Sequence, residues 1–121
     1  MTDLRKLQKL VKRFIDERDW RRFQTTKELA MNASVEANEL LELFLWQNER
    51  ALDKKILNKE DTVFLKKIKN ETADVFLACL SIADQAGFDL EEAFVSKMKE
   101  LDKRYDKKKV YGDPRKIPSK E

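Results

Sequence analysis

Apolar residues recur at three- and four-residue spacing along most of the chain, which is the pattern of amphipathic α-helices. The first such stretch contains Leu4, Leu7, Leu10, Val11 and Phe14. The pattern lapses between Asp19 and Gln24, which predicts a connection. The chain is therefore expected to open with one amphipathic helix followed by a short linking segment.

A second, longer helix is predicted after this connection. Thr25 and Glu28 have the spacing of a capping box, in which a side-chain oxygen accepts a hydrogen bond from the third backbone N–H of the helix. The apolar pattern continues to about Gln47. The polar stretch 48–59 has only weak periodicity, so it is either a loop or a short extension between the two central helices.

Two further helices follow in the second half of the chain. The third is predicted from near Asp61 to just before Gly87, because glycine is the residue favoured after a helix end. Asp89 and Glu92 form a second capping box. It opens a fourth helix with an apolar stripe of Leu90, Phe94, Met98, Leu101 and Tyr105.

Glycine and proline, the strongest helix breakers, are confined to the last third of the chain. Glycine occurs only at positions 87 and 112 and proline only at 114 and 118, so the first 86 residues contain neither. This distribution predicts an all-α four-helix bundle over residues 1–105. Residues 106–121, which include three consecutive lysines, are predicted to be a basic flexible tail.

Composition narrows the possible chemistry. The 121 residues contain no histidine and one cysteine, Cys79, so Ser-His-Asp and Cys-His catalysis and zinc sites built from histidine or several cysteines are excluded. The 26 basic and 23 acidic residues leave a net charge of +3, which argues against nucleic acid as a partner. No apolar run approaches membrane-spanning length and no signal peptide opens the chain, so a cytoplasmic protein is expected.

Acidic residues stand on the apolar face of the second helix. At about 100° per residue, Leu29, Leu40 and Leu43 all lie within roughly 40° of Glu36. Glu39 lies near −60° from Glu36, at the edge of the same face. A carboxylate is therefore predicted in the middle of a face that should be buried.

The third helix repeats this arrangement. Phe64, Val75 and Ile82 lie within roughly 40° of Glu71, and Asp74 lies near −60° from it. Each of two helices that should pack together thus presents two acids three residues apart, with the first acid among core residues.

Four clustered carboxylates need compensation because a buried negative charge costs several kcal/mol. A buried ion-pair network is one alternative, and Lys67, one turn before Glu71, could form one such pair. A divalent cation is the favoured alternative, with Glu36, Glu39, Glu71 and Asp74 as ligands. Oxygen-only ligands fit Mg²⁺, with Mn²⁺ as a substitute, and Mg²⁺ completes its coordination with water and substrate phosphates.

Four other residues are candidates for binding a substrate. Lys97 interrupts the apolar stripe of the fourth helix and Arg104 continues it, so either could hold a phosphate or simply extend its charged end to solvent. Trp20 and Trp46, the only tryptophans, could stack on a base or serve as ordinary core or interface residues.

Several stretches together resemble the MazG-like nucleotide pyrophosphohydrolases, and among these the small dCTP pyrophosphatase type. The similarity covers about residues 4–105. It rests on the Arg18–Phe23 run, on the two acid pairs with the Phe44-Leu45-Trp46 segment, and on Lys97-Met98 and Arg104-Tyr105.

The resemblance implies an all-α nucleoside triphosphate pyrophosphatase that hydrolyses (d)NTP to (d)NMP and pyrophosphate with magnesium, in a house-cleaning or pool-balancing role. It implies a homodimer or a homotetramer built as a dimer of dimers. The four acids would bind the metal, Trp20 and Trp46 the base or sugar, and Lys97 and Arg104 the phosphates. The chain departs from the family pattern at Leu101, Ala78 and Gln24, which bears on base preference.

A mechanistic hypothesis follows from these assignments. Glu36 and Glu39 are the catalytic candidates, with Glu39 favoured as the general base, acting through a water molecule, because it lies at the edge of the apolar face. Two related activities remain as alternatives, an all-α dUTPase and a phosphoribosyl-ATP pyrophosphohydrolase. A helical interaction module without enzymatic activity is a third.

Overall fold

The computed structural model of the chain describes residues 3–119; residues 1–2 and 120–121 of the predicted domain and tail lie outside the described residues. The described part is helical and contains no strand, which confirms the predicted all-α class. Its α-helices are α1 (Leu4–Glu17), α2 (Thr26–Glu42), α3 (Glu49–Leu57), α4 (Thr62–Ala86), α5 (Leu90–Arg104) and α6 (Lys107–Val110). A 3₁₀ turn, Arg21–Phe23, lies in the predicted connection between α1 and α2.

Side-chain caps set the helix starts where the sequence predicts them. The Thr25 hydroxyl accepts a hydrogen bond from the Glu28 N–H at 3.1 Å, and the Asp61 carboxylate accepts one from the Phe64 N–H at 2.9 Å. Each bond satisfies a backbone donor that has no partner within the first helical turn. At the other end of α4, Gly87 adopts a left-handed φ of 78°, a conformation that costs glycine little.

The predicted extension of the second helix to about Gln47 is wrong, because α2 ends at Glu42 and a turn follows. Trp46 in this turn has a left-handed φ of 65°. Asn48 is in an extended conformation and its side chain accepts a hydrogen bond from the Ala51 N–H at 3.0 Å. Since an N-capping residue cannot continue the preceding helix, the start of α3 separates the two. The 48–59 stretch is therefore a separate helix and not a loop.

Helix α4 is the centre of the packing. It makes its most extensive contacts with α2, further contacts with α1, and a smaller set with α3, while α5 packs chiefly on α1. The core between α1 and α4 contains Val11, Ile15 and Leu80, with Leu4, Leu7 and Leu90 packed against it. Apolar burial thus holds α1 against α4, and the extensive contacts with α2 place that helix beside α4 as well.

The region after α5 is more structured than the predicted flexible tail. It contains the four-residue helix α6, capped by the Asp106 side chain. Farther on, the Tyr105 hydroxyl accepts a hydrogen bond from the Ile117 N–H at 2.9 Å and donates one to the Ile117 carbonyl at 3.2 Å. These bonds return the end of the described chain to the last residues of the helical domain.

Of the helices in residues 3–119, none has both the length and the apolar composition required to cross a membrane.

Candidate metal centre and nucleotide site

The packing of α2 on α4 brings acidic side chains from both helices together. Glu36 on α2 and Glu71 and Asp74 on α4 each offer a carboxylate oxygen, and these three oxygens all lie within 4.8 Å of one another. Three of the four acids predicted as ligands therefore converge in the structure. A group of carboxylate oxygens at this separation suits a hard divalent cation.

Two of these carboxylates contain buried oxygens that lack a partner. Glu36 Oε2 and Glu71 Oε2 are shielded from solvent and have no hydrogen bond. Among the described residues, no lysine or arginine forms an ion pair with Glu36, Glu71 or Asp74, so the alternative of a buried ion-pair network finds no support there. Buried acceptors without a donor are costly unless another group compensates them, and a cation would do so.

The electrostatic surroundings of the cluster favour protonated acids when no cation is present. Burial, followed by the neighbouring Glu39 carboxyl and the charges of Asp74 and Glu71, raises the pKa of Glu36 above its ordinary value. Burial, followed by the charges of Glu39, Asp74 and Glu42, raises the pKa of Glu71. A positive ion between these groups would reverse the effect, because it favours the charged carboxylates.

Glu39 lies next to this three-oxygen group without belonging to it. Its side chain is exposed, yet it acts on the pKa values of both Glu36 and Glu71. This exposure leaves the Glu39 carboxyl accessible to water, and its role as a general base stays a prediction.

Glu42 is a fifth acid of this region, and its position on the helical wheel did not predict it. Its charge contributes to the raised pKa of Glu71, although the wheel places it near −120° from Glu36, well off the apolar face. The signal was available in the sequence, because Glu36, Glu39 and Glu42 repeat at three-residue intervals on α2. The acidic region therefore extends along α2 to its last residue.

Trp20 lines a cavity of about 200 Å³ that reaches the acidic cluster. Glu36 and Asp74 are also in the lining of this cavity. The Trp20 ring packs edge-on against Phe14, with the ring centroids 5.6 Å apart, and the Arg18 guanidinium lies 3.8 Å from the centroid of Phe14. Trp20 therefore lies in one cavity with two of the acids, and its role as a base or sugar contact stays a prediction.

Trp46 is fully exposed, with a relative accessibility of 101%. It lies in the turn after α2, and its left-handed backbone is unfavourable for a residue with a bulky side chain. The described chain thus does not use this ring as a core residue. A large, fully exposed aromatic ring is typical of a surface that binds a ligand or another protein.

Lys97 and Arg104 come together on α5 through a shared acid. Lys97 Nζ lies 3.6 Å from one Glu100 oxygen, and Arg104 Nε lies 3.4 Å from the other. Arg104 is largely buried, whereas Lys97 is half exposed. Among the described residues, neither cation forms an ion pair with the acids of the α2–α4 cluster, and their helix packs chiefly on α1.

The fold and the cluster together define an all-α protein with a carboxylate centre between two packed helices. The MazG-like family model matches residues 31–113, and the chain belongs to the MazG-like family. This confirms the resemblance inferred from the acid pairs. The matched region contains all five acids of the α2–α4 region, whereas Trp20 precedes it.

Two known proteins are similar to this chain. It is 28% identical over 102 residues to dCTP pyrophosphatase 1 of Mus musculus, a match that covers 84% of this chain and 58% of that protein. It also resembles the crystal structure of a pyrophosphatase from Archaeoglobus fulgidus, with a TM-score of 0.72 and 28% identity over 87% of this chain and 94% of the other. The chain thus spans little more than half the length of the mouse relative.

Proposed function

We propose that this protein is a magnesium-dependent nucleoside triphosphate pyrophosphohydrolase that converts a dNTP, such as dCTP, into dNMP and pyrophosphate. The observation that carries the proposal is the convergence of Glu36, Glu71 and Asp74 with two unpartnered buried oxygens beside a cavity. Family membership and the names of the two relatives support the same reaction type. A role in clearing unwanted nucleotides or balancing the pool is consistent with it.

Glu36, Glu71 and Asp74 would hold the cation, with Glu39 as a fourth ligand at the exposed side. When bound, the cation would neutralise the phosphate charge and make the α-phosphorus easier to attack. Lys97 and Arg104 would bind phosphates only if their helix approached the cluster of another chain, since in this chain α5 packs on α1.

Glu39 would act as the general base. Its carboxylate takes a proton from water while the water oxygen forms a bond to the α-phosphorus. The bond from this phosphorus to the oxygen bridging to the β-phosphate breaks, and pyrophosphate leaves with that oxygen. The exposure of Glu39 keeps its carboxylate accessible to water, whereas Glu36 has a buried oxygen and is better placed to bind the metal.

Pyrophosphate release from dCTP, dTTP, dUTP and ATP tests the proposal. The wild-type chain should turn over at least one of them with Mg²⁺, and Glu39→Gln should reduce kcat by about 100-fold or more. Glu60→Gln, at an exposed acid before α4, is the matched control and should leave kcat unchanged. Near wild-type turnover by Glu39→Gln would show that another group is the base. Preference for dUTP, or turnover of phosphoribosyl-ATP alone, would instead identify one of the related activities.

We also propose that the functional form is a homodimer or a dimer of dimers. A compact monomer of this mass should expose roughly 6,800 Å², whereas this chain exposes 10274 Å². The extended segment after α6 accounts for part of the excess. Apolar side chains are also exposed on three helices, among them Met31, Val35, Phe76, Phe94 and Met98. Obligate interfaces bury a comparable area.

Light scattering after size exclusion tests the assembly. The wild-type protein at micromolar concentration should have two or four times the 14.4 kDa chain mass. Phe94→Glu, which places a charge on the exposed face of α5, should lower that mass, whereas Leu57→Glu on α3 should not. A 14.4 kDa species for the wild type would overturn the proposal. Trp46 would then also lack a second chain into whose site it could project.

A further inference from the structure

The net positive charge of this protein is concentrated in one short segment, residues 105–117. The chain has 26 basic and 23 acidic residues, and this segment contains five basic and two acidic ones, so the rest of the chain contains 21 of each. The segment, the basic loop, therefore carries a charge equal to the net charge of the whole chain, +3. A small total charge does not exclude a polyanionic partner when that charge lies in one place.

Hydrogen bonds close the basic loop and hold its backbone in shape. At its base, the Tyr105 hydroxyl bonds to the N–H and to the carbonyl of Ile117, at 2.9 and 3.2 Å. Farther out, the Asp113 N–H donates to the Val110 carbonyl at 2.8 Å. The Arg115 guanidinium donates to both carboxylate oxygens of Asp113, at 2.9 and 2.7 Å. An ordered backbone reduces the conformational entropy that is lost when a ligand binds.

A cavity of about 380 Å³ lies inside the basic loop, between α6 and the segment that returns to Tyr105. Of the six described residues that line it, three are basic, namely Lys109, Arg115 and Lys116. Asp113, also in the lining, is paired with Arg115. Neither lysine forms an ion pair with another of residues 3–119. The cavity therefore has an excess of positive charge, which suits an anion such as a phosphate group.

The positive charge extends beyond this cavity. Lys107 and Lys108 are exposed on α6 and are not among the described residues of the lining. Successive residues of a helix point about 100° apart, so these two side chains and that of Lys109 project in different directions. A single phosphate group cannot contact all of them together with Lys116. A ligand that uses the whole loop therefore needs several phosphates along a chain.

An exposed aromatic ring stands at the tip of the basic loop. Tyr111 is 92% exposed, and the chain reverses at Gly112, which has a left-handed φ of 75°. Cations that bind phosphates and an aromatic ring that stacks on bases are the two components of sites for single-stranded nucleic acid. A membrane fits less well, because the other apolar side chains of the loop are held within it. Val110 is half-buried and the backbone of Ile117 is bonded to Tyr105.

We propose that the basic loop binds a single-stranded polynucleotide, at a site that is separate from the acidic cluster and does not depend on the proposed function. A phosphate of the strand lies in the cavity beside Lys109 and Lys116. Neighbouring phosphates contact the other two lysines of α6, and a base stacks on Tyr111. RNA and DNA share this chemistry. Contacts to phosphates and to the faces of bases do not identify a base, so binding is tolerant of sequence and sensitive to salt.

Fluorescence anisotropy with labelled single strands of about twelve nucleotides, rU and dT, tests the proposal. The wild-type protein should bind at about 50 mM salt. Four lysines that each neutralise one phosphate should raise Kd about 50-fold when the salt is increased to about 200 mM. The rU and dT measurements show whether the strand that binds more tightly is RNA or DNA.

Two triple variants remove the same charge from different places. The loop variant replaces the three lysines of α6: Lys107→Gln, Lys108→Gln and Lys109→Gln. The control variant replaces three exposed lysines in and just after α3: Lys54→Gln, Lys55→Gln and Lys59→Gln. The loop variant should raise Kd by about 100-fold at the lower salt concentration and make binding less sensitive to salt. The control variant should change Kd by less than about threefold.

Substitutions at position 111 test the stacking. Tyr111→Ala should raise Kd for the single strands by about tenfold. Tyr111→Phe retains the ring and should retain most of the affinity. Neither change should affect binding of a duplex of the same length, whose bases are not available to the ring. Because Tyr111 and the replaced lysines are exposed, the melting temperature should be unchanged in every variant.

Absence of binding at the lower salt concentration would overturn the proposal. So would an equal loss of affinity in the two triple variants, or full affinity in Tyr111→Ala. Tighter binding to vesicles of phosphatidylserine and phosphatidylcholine than to either oligonucleotide would assign the loop to a membrane surface instead. Turnover of dNTPs should be unchanged in the loop variant, so the proposed function and the role of the basic loop can each fail without the other.

Discussion

Arg21 Nη2 lies 2.6 Å from Asp84 Oδ2, an ion pair that joins the connection after α1 to the last turns of α4. The Asp84 side chain is only 7% exposed, and the same guanidinium also reaches Asp16 and Gln85. Hydrogen bonds to Asp16 and Asp84 raise the pKa of Arg21, so its charge is retained at every relevant pH. The pair therefore fixes the segment that contains Trp20 and Gln24.

Removal of this arginine should destabilise the fold. Arg21→Ala leaves Asp84 buried without its partner, which should lower the free energy of unfolding by about 2 kcal/mol. Arg22→Ala is the matched control. Within residues 3–119, Arg22 pairs with the exposed Asp19 and lies over the exposed Phe23 ring, so its removal should change stability by no more than about 1 kcal/mol. Urea unfolding measures both. Equal effects of the two variants would mean that the Arg21–Asp84 pair contributes no more than a surface ion pair.

Neutralising one acid of the cluster should have opposite effects with and without metal. The raised pKa of Glu71 shows that its charged form is disfavoured in the metal-free protein, so Glu71→Gln should leave the melting temperature equal or higher. The increase in melting temperature that Mg²⁺ gives the wild type should be largely lost in this variant. Glu60→Gln should show the full wild-type increase. An undiminished Mg²⁺ response in Glu71→Gln would exclude this residue as a ligand.

Lowering the pH should remove the stabilisation that the charge of Asp89, at the start of α5, gives the folded state. A hydrogen bond from Arg5, followed by one from the Glu92 N–H, holds the pKa of Asp89 below its ordinary value of 3.8. A depressed pKa stabilises the folded state above the ordinary value, and this stabilisation is lost as the pH falls through the folded-state pKa.

Asp89→Asn tests this prediction because asparagine retains the helix-capping oxygen and removes only the charge. The wild type should melt above the variant at pH 7, and the difference should shrink as the pH falls below about 3.8. Thermal melts from pH 2.5 to pH 7 measure it. A difference that is constant over this range would mean that capping, and not charge, accounts for the role of Asp89.

Replacement of Trp46 by glycine should test the function of this side chain without destabilising the fold. The left-handed φ of 65° is easily adopted by glycine, so Trp46→Gly should change the free energy of unfolding by no more than about 1 kcal/mol. If Trp46 contacts the nucleotide or a second chain, the same variant should raise KM or reduce the assembled mass. Unchanged kinetics and mass would show that this exposed ring serves neither purpose.

The helices could be predicted from the sequence because their signals are local. Thr25 and Asp61 cap helices that begin at the next residue, and the first glycine of the chain ends α4. The end of α2 could not be placed, because no glycine or proline stands there and the apolar spacing continues through Leu43 and Phe44. The chain turns because Asn48 caps a new helix and Phe44 packs edge-on against Phe64 of α4.

The acidic cluster could be predicted in part for a related reason. Glu36 and Glu71 stand on apolar faces, so any packing of α2 on α4 buries them. The effect of Glu42 on the pKa of Glu71 depends on the distance between α2 and α4, which a helical-wheel projection of one helix does not give. The surroundings of Lys97 and Arg104 could not be predicted either. Periodicity places both residues on a face of α5, but it does not indicate which helix that face contacts.

Glu36 and Glu71 stand on different helices and about 35 residues apart along the chain, a separation that gives a cation bound between them a mechanical role. Such an ion would close a loop containing the end of α2, all of α3 and the start of α4, much as a reversible cross-link does. Loss of the ion would free that loop to open. The supply of the cation would therefore set how long the chain survives proteolysis, besides whether it can bind a nucleotide.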